Sequence, residues 1–386
     1  MEPKINPKDE KFAKKVAPQN PIIEAIYKSN IGFPLSESEA HDAFLSALNV
    51  EDPVERATFL GVLLNGIMSK KSEVDEVVGL IKAAFTLDNF DINVIKEISI
   101  PNEIVVGVAG SGKKGIKSIN ISSCASFVAA AAGAYVIKSC SSSTSSVTGS
   151  ADFVEKIGGN LSLDKDKMEE VLRKTGVGFF RIEGQIQKFD SIYGGKFHAP
   201  HALSFALAAL VLPIKANLMF YGLSHPSVNI SVKVLEKFGY KNSFVASTTD
   251  NGLHFMDEIG VFGTTYICGN RNGEIGRTAF VQPAEDLKLP RYNRDDIAPG
   301  KNIVENILMS VKVLKGSGES AREDIVCVNA ATILYLAGKV KDLKEGYFLA
   351  KKTISDGKAF EKLKDFIELT GGRTDIINSL DKNDTN

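Results

Sequence analysis

Residues 103–132 constrain the fold more than any other stretch of the chain. Glu103-Ile-Val-Val-Gly-Val is a short β-branched run and reads as a strand. It ends in a glycine-rich turn from Gly107 to Gly115, and an alanine-rich helix follows from about Ser122 to Ala132. Tyr135 to Lys138 fits a second short strand, Ser139 to Ser150 a Ser/Thr-rich loop, and a further helix starts near Ala151. Strand, turn, helix, strand, loop and helix in succession predict a parallel sheet with helices packed on it. Later strands fit Leu218 to Leu223, Ser243 to Ser247 and Thr265 to Cys268. Helices fit Ser227 to Phe238, Ile303 to Lys315, Glu323 to Gly338 and Leu343 to Ser355.

The chain before this unit has a different pattern. Leu45 and Leu48, then Phe59, Leu60, Leu63, Leu64 and Ile67, recur at helical spacing. Ser36 with Glu39 reads as a capping box, and Ser72 with Asp75 as a second, weaker start signal. With 386 residues the chain has room for two domains. The expected fold class is α/β: a small N-terminal helical domain plus a larger α/β domain with a central, mainly parallel sheet. The expected boundaries are a tail over 1–19, a helical domain over 20–98 joined by helices from about 185–210, an α/β domain over 99–184 and 211–380, and a tail over 381–386. Ala202 to Pro213 is the longest apolar stretch, too short for a membrane span, and reads as a buried helix.

Composition excludes several classes of function. The formal net charge is -1, so no global basic field draws the chain to nucleic acid or to a membrane. Cys124, Cys140, Cys268 and Cys327 are far apart and form no C-x-x-C, which argues against zinc and against a disulfide framework and fits the cytoplasm. The lysine-rich N-terminus lacks the apolar core of a signal peptide.

The glycine turn is the first chemical signal. Glycines let the backbone turn tightly and approach an anion, and the coming helix N-terminus adds partial positive charge. Lys113, Lys114 and Lys117 add full charges, although three solvated surface lysines would look the same. Gly107 to Lys113 nearly spells the nucleotide loop G-x-x-x-x-G-K-[ST], but position 114 is Lys and supplies no hydroxyl for magnesium.

Gly110-Ser-Gly-Lys-Lys-Gly-Ile-Lys-Ser-Ile-Asn-Ile-Ser-Ser123 resembles, without a gap, the G-T-G-G-D-G-x-x-T-x-N-I-S-T signature of anthranilate phosphoribosyltransferases. Lys138 falls on the Lys of that family's K-H-G-N-R motif, and Ser143 to Asp152 resembles its S-x-S-S-x-S-G-S-A-D. Glu155 with Gly158 resembles V-L-E-x-L-G, Asp257-Glu258 resembles the family's D-E pair, and residues 301–339 resemble its closing helices. The resemblance implies a pentosyltransferase that moves phosphoribose from phosphoribosyl pyrophosphate to a small aromatic amine or base. Anthranilate, in tryptophan biosynthesis, is the leading acceptor. It implies Mg2+ as cofactor, held by Asp257 and Glu258. It implies substrate contacts from Gly110, Gly112, Lys113, Lys114, Ser118, Asn120, Ser122, Ser123, Lys138, Ser141, Ser146 and His201, and a homodimer formed through the helical domain. No catalytic residue is assigned. Asn120, Ser122 and Ser123 could also be helix caps, and Asp257-Glu258 an acidic loop.

The departures bear on the acceptor. Lys114 stands where the family has Asp, and Ser139-Cys140-Ser141-Ser142 where it has His-Gly-Asn-Arg. The family's H-P-A-M motif has no counterpart, and His201 falls near the position of an Arg that meets the acceptor carboxylate. A neutral His is a weaker carboxylate partner than a bidentate Arg, and both His198 and His201 could be plain loop residues. Two other readings stay open: a nucleoside phosphorylase-like enzyme, and a non-catalytic relative that binds nucleic acid or regulates.

Overall fold

The structure, a computed structural model, describes residues 20–142 and 147–377. By internal contacts the described chain divides into two units. One holds the residues up to Phe90 together with His201–Leu203, and the other holds Asp91–Pro200 and Ser204 onward.

The first unit is built from helices α1 (Pro21–Asn30), α2 (Glu37–Leu48), α3 (Pro53–Ser69) and α4 (Val74–Asp88). Ser36 caps α2 in a full capping box with Glu39, as its spacing predicts. The start of α4 differs: Glu73, not Ser72, is its N-cap and pairs reciprocally with Glu76. The Ser72 hydroxyl instead turns back toward Met68 Sδ at 3.3 Å. Glu76 is fully buried, and Lys70 Nζ at 2.6 Å with the N–H groups of Leu35 and Glu73, both at 2.9 Å, offset the cost of burying its charge.

The second unit carries the sheet. Its elements in order are β1 (Val105–Gly110), α5 (Ile121–Ala131), β2 (Tyr135–Cys140), α6 (Ser150–Lys156), α7 (Lys165–Thr175), β3 (Val177–Arg181), α8 (Gln187–Tyr193), β4 (Leu218–Gly222), α9 (Val228–Lys237), β5 (Ser243–Thr249), β6 (Thr264–Arg271), β7 (Glu274–Ile275), β8 (Ala279–Val281), α10 (Ile303–Leu314), α11 (Ser320–Leu336), α12 (Leu343–Ser355) and α13 (Lys358–Leu369). The sheet order is β3-β2-β1-β4-β5-β6-β7, with β8 also on β6. The first five strands are parallel and the rest antiparallel, so the sheet is mainly parallel. Strand order reverses between β1 and β4, the kind of place where open α/β sheets hold ligands beyond their carboxyl ends.

Every side chain of β1 from Val105 to Ala109 is buried, as expected for a strand covered on both faces. Helix α5 is buried on nearly all sides, and its alanines and serines let α11 and α13 pack closely against it. Phe127 of α5, Phe179 of β3 and Phe366 of α13 form a ring cluster with centroids 5.2 to 5.5 Å apart.

Three expectations change. Residues 185–200 stand with the α/β unit, and so do residues 91–98, because Ile98 N–H donates to Lys215 O at 2.9 Å and draws that segment to the sheet. Ala202 to Pro213 is not one helix. It is a 3-10 turn, Ala202–Phe205, and a single helical turn, Leu207–Leu210. Side-chain hydroxyls take its carbonyls instead: Tyr221 donates to Ser204 O at 2.5 Å and Ser231 to Phe205 O. Finally, β2 runs on to Cys140, so the loop after it begins two residues later than expected.

The ring cluster supports the helix that opens the pocket described below. Phe366→Ala should lower unfolding stability by about 3–5 kcal/mol, read from equilibrium urea unfolding. A loss under about 1 kcal/mol would mean the cluster contributes little beyond ordinary surface packing.

Candidate functional site

A cavity of about 130 Å³ lies at the carboxyl ends of β1 and β2. Its lining includes Gly110, Gly112, Lys113, Lys114, Ser118, Asn120, Ser122, Ser123, Lys138, Ser141, Asp257 and Glu258. These are the expected site residues apart from two. Ser146 lies outside the described residues. His201 is buried, belongs to the other compact unit and is not among the lining residues.

The loop after β1 is pinned rather than open. Ser111 N–H donates to Gly222 O at 2.9 Å, Gly112 N–H to Asp257 Oδ2 at 2.9 Å, and Gly115 and Ile116 N–H both to Phe255 O. Ser224 donates through Oγ to Gly112 O at 3.0 Å and through N–H to Ser111 Oγ at 2.9 Å. Four of the loop's amides are therefore spent on the protein, and lysine side chains from it line the cavity. Lys113 has φ of 54°, a left-handed conformation that costs a non-glycine residue about 1 kcal/mol. Its ammonium lies 5.2 Å from the centroid of the buried Tyr193 ring. Burial lowers its pKa to about 8.

The start of α5 is the second wall. Asn120 is the N-cap residue, but its side chain makes no cap bond. It donates instead to Thr148 O at 3.2 Å and Gly149 O at 3.3 Å, and accepts from Asn306 Nδ2 at 3.2 Å. Simple capping is thus not what Asn120 does. The first-turn N–H groups of Ser122 and Ser123 have no carbonyl within the helix. Ser123 Oγ is buried with no hydrogen-bond partner. An unpartnered hydroxyl and a helix N-terminus at one cavity wall suit an anion. Lys138 Nζ, on β2, is buried and donates to Ser139 O at 2.6 Å, and burial lowers its pKa.

Asp257 and Glu258, expected to face a divalent cation, face Lys114 instead. Lys114 Nζ lies 2.7 and 3.0 Å from the two Glu258 oxygens, 3.3 Å from Asp257 Oδ1 and 3.2 Å from Ser118 Oγ. Burial alone would discharge Lys114, but Glu258 and Asp257 outweigh it and raise its pKa. Burial and then repulsion from Asp257 push Glu258 up; burial also works on Asp257, but Lys114 overcomes it and holds that carboxyl down. The segment is fixed from behind. Met256 and Thr248 exchange backbone bonds at 2.9 and 3.1 Å, and Asn329 accepts from Ile259 N–H at 3.1 Å while donating to Ile259 O at 2.8 Å. Among the described residues no group of three or more His, Cys, Asp or Glu side chains could hold a metal. Asp257 Oδ1 has no hydrogen bond, but the Lys114 ammonium stands 3.3 Å from it and holds both Glu258 oxygens, so the pair does not present the several close oxygen ligands that a resident magnesium ion demands.

A sequence model described as the glycosyl transferase family, a/b domain, matches residues 102–360. The anthranilate phosphoribosyltransferase of Pelotomaculum thermopropionicum is 30% identical over 353 residues, covering 91% of this chain and 97% of the relative. That of Anaeromyxobacter dehalogenans is 31% identical over 351 residues, covering 90% and 98%. The chain belongs to the anthranilate phosphoribosyltransferase family, whose members are pentosyltransferases. Solved structures agree on the fold. The Thermus thermophilus enzyme superposes with a TM-score of 0.71 at 23% identity over 90% of this chain and 99% of its own. The Saccharomyces cerevisiae enzyme, solved in complex with phosphoribosyl pyrophosphate and Mg, gives 0.74 at 18% identity over 92% and 99%.

Motif reading missed Ile182, which lines the cavity, and the supporting residues Ser224, Asn306 and Asn329. Cys140 also lines it, and burial first of all pushes its thiol up to about 12, so it is no thiolate at neutral pH.

Two outcomes follow from Lys113. Lys113→Gly should raise stability by about 1 kcal/mol, because glycine suits that φ, and weaken inorganic pyrophosphate binding about tenfold. Unchanged affinity by calorimetry would mean Lys113 does not meet the anion. In the unaltered protein Lys113 is charged below about pH 8 and loses its proton above it. Glu258, pushed up, gains negative charge in the same direction. Pyrophosphate affinity should therefore fall as pH rises through about 8, and a flat profile from neutral to pH 9 would contradict this electrostatic account.

Proposed function

We propose that this chain transfers phosphoribose from phosphoribosyl pyrophosphate to the nitrogen of a small aromatic amine or base, with anthranilate as the first candidate. The observation that carries this reading is the wall made by the α5 N-terminus, with unpartnered Ser123 Oγ, opposite Lys113 and Lys138 in one cavity of a chain of this family. The acceptor nitrogen forms a bond to ribose C1 as the bond from C1 to the pyrophosphate oxygen breaks. The pyrophosphate leaves with that electron pair, and the nitrogen releases a proton. Lys113 and Lys138 meet the growing charge on the leaving group. Ser118, Ser122 and Ser123 supply hydroxyls, and Ser122 and Ser123 supply first-turn amides. Gly110 and Gly112 let the loop pass close to Asp257 and the donor. Ser141 stands on the acceptor side, and Asn120 ties α5 to residues 148–149. No side chain here serves as a covalent nucleophile, and positioning supplies most of the rate.

Homologues use Mg2+. When present it neutralises pyrophosphate charge as a Lewis acid, and in this chain it would accompany the donor rather than reside on Asp257 and Glu258. Four buried, unpaired cysteines support a reducing compartment such as the cytoplasm. Among the described residues no helix is long and apolar enough to cross a membrane. Packed helices α1 and α3 and the loop beside them leave Tyr27, Ile31, Phe33 and Val54 more than 60% exposed, which supports a homodimer through the helical unit.

Incubating the protein with phosphoribosyl pyrophosphate and anthranilate should consume anthranilate and release pyrophosphate in equal amounts. Ser123→Ala should raise the donor KM about tenfold. Phosphate-dependent nucleoside cleavage without that release would favour the phosphorylase reading instead. Light scattering of the intact chain should give twice the chain mass, with Ile31→Lys shifting it toward monomer, and a monomer at every concentration would exclude the dimer.

A further inference from the structure

The arrangement around Lys114 carries a further step, which rests on the reading that this cavity takes a pyrophosphate-bearing donor. A carboxylate pair serving a resident divalent cation needs oxygens free to coordinate it. Three of the four oxygens of this pair are hydrogen-bonded, and the fourth, Asp257 Oδ1, is buried without a hydrogen bond and has only the charge of Lys114 beside it. Lys114 Nζ takes both Glu258 oxygens at 2.7 and 3.0 Å and stands 3.3 Å from Asp257 Oδ1, while Gly112 N–H takes Asp257 Oδ2 at 2.9 Å. The ammonium is itself largely buried, with 13% of its side chain exposed. The charge balance points the same way. Three lysines, Lys113, Lys114 and Lys138, share one lining with only two acidic side chains, Asp257 and Glu258. An acidic pair without Lys114 would repel a polyanion until a divalent cation neutralised it.

We propose that Lys114 is a built-in counter-ion that neutralises Asp257 and Glu258, so that this site binds the pyrophosphate end of its donor without a divalent cation held by those two residues. The ammonium is a compact charge with three donors and no open coordination position. It fixes the acidic pair and leaves Lys113 and Lys138 to meet the phosphates. Lys114 is on this account a positioning and charge-balancing residue, not a catalytic one.

The test is calorimetric titration of the full chain with phosphoribosyl pyrophosphate and with inorganic pyrophosphate, in magnesium and in excess chelator. The unaltered protein should keep its affinity within about threefold when magnesium is withdrawn. Lys114→Asp, which gathers three carboxylates, should bind only with magnesium, and its melting temperature should rise with magnesium where that of the unaltered protein does not. Lys114→Gln guards against a variant that fails to fold, and should lose more than about tenfold affinity in chelator. If the unaltered protein loses more than about tenfold affinity in chelator, Lys114 does not replace the metal, although the transferase reading stands. Chelator-insensitive binding by a folded Lys114→Gln would likewise overturn the role of Lys114. No binding of either ligand in either buffer would remove the transferase reading as well.

Discussion

The site depends on the burial of Asp257 against the ends of two neighbouring parallel strands. Gly110 and Gly222 are register partners at the ends of β1 and β4. A Cβ on Gly110 would lie 2.6 Å from Asp257 Oδ2, and one on Gly222 would lie 1.7 Å from Asp257 O. Only glycine at both positions lets the acidic segment come this close. A carboxylate so placed is nearly out of water, and burying it without a partner would cost several kcal/mol. Lys114 and the Gly112 N–H answer that cost, and both come from the loop that follows β1. The path of the loop, the position of Lys114 and the depth of Asp257 are therefore one constraint seen from three residues.

That constraint is supported from outside the cavity. Thr248 Oγ1 donates to Glu258 O at 2.8 Å, Gly260 N–H donates to Thr248 Oγ1 at 2.9 Å, and Asn329 of α11 brackets Ile259. Helix α11 in turn packs on α5, whose first turn is the opposite wall. The two walls of the anion cavity thus share a rigid backing. Preorganised groups pay little reorganisation when charge develops on a leaving group, which is what pyrophosphate departure requires.

Much of this was legible in the sequence, and the reasons are local. The strand at Val105 and helix at Ile121 follow a clear change from β-branched to alanine-rich composition around a glycine turn, so element and loop could be read together. The cavity's main residues are contiguous in two short segments, which is why a motif could find them. Strand β3 escaped because Val177-Gly-Phe-Phe-Arg follows immediately on the Gly176 cap of the charged helix α7 and is only five residues long. Helix α13 escaped because Lys358 to Leu369 is rich in charge, with a narrow buried face at Ala359, Leu363, Phe366 and Ile367. The apolar run near Ala202 misled because hydrophobicity reports burial, not whether side-chain hydroxyls will claim the backbone carbonyls. Ser224, Asn306 and Asn329 could not have been found as site residues: each is a lone polar group whose value lies in a partner distant in sequence.

The two ends of the cavity differ in kind, and that difference bears on the acceptor. On the proposed reading, the lysines and the α5 N-terminus serve the donor. The other end is lined by Ser139, Cys140, Ser141, Ser142 and Ile182, with no charged side chain from that stretch of the described residues. Neutral hydroxyls and a protonated thiol can orient an acceptor by hydrogen bonds, but they cannot hold a carboxylate as a guanidinium does. Discrimination in such a pocket comes from shape and from polar groups left unpaired by the wrong ligand. An acceptor carboxylate, if the true acceptor has one, must find its cation elsewhere than in residues 139–142. On the proposed reading, residues 139–142 bear on which nitrogen nucleophile is accepted, while the charge arrangement around Asp257 bears on donor binding.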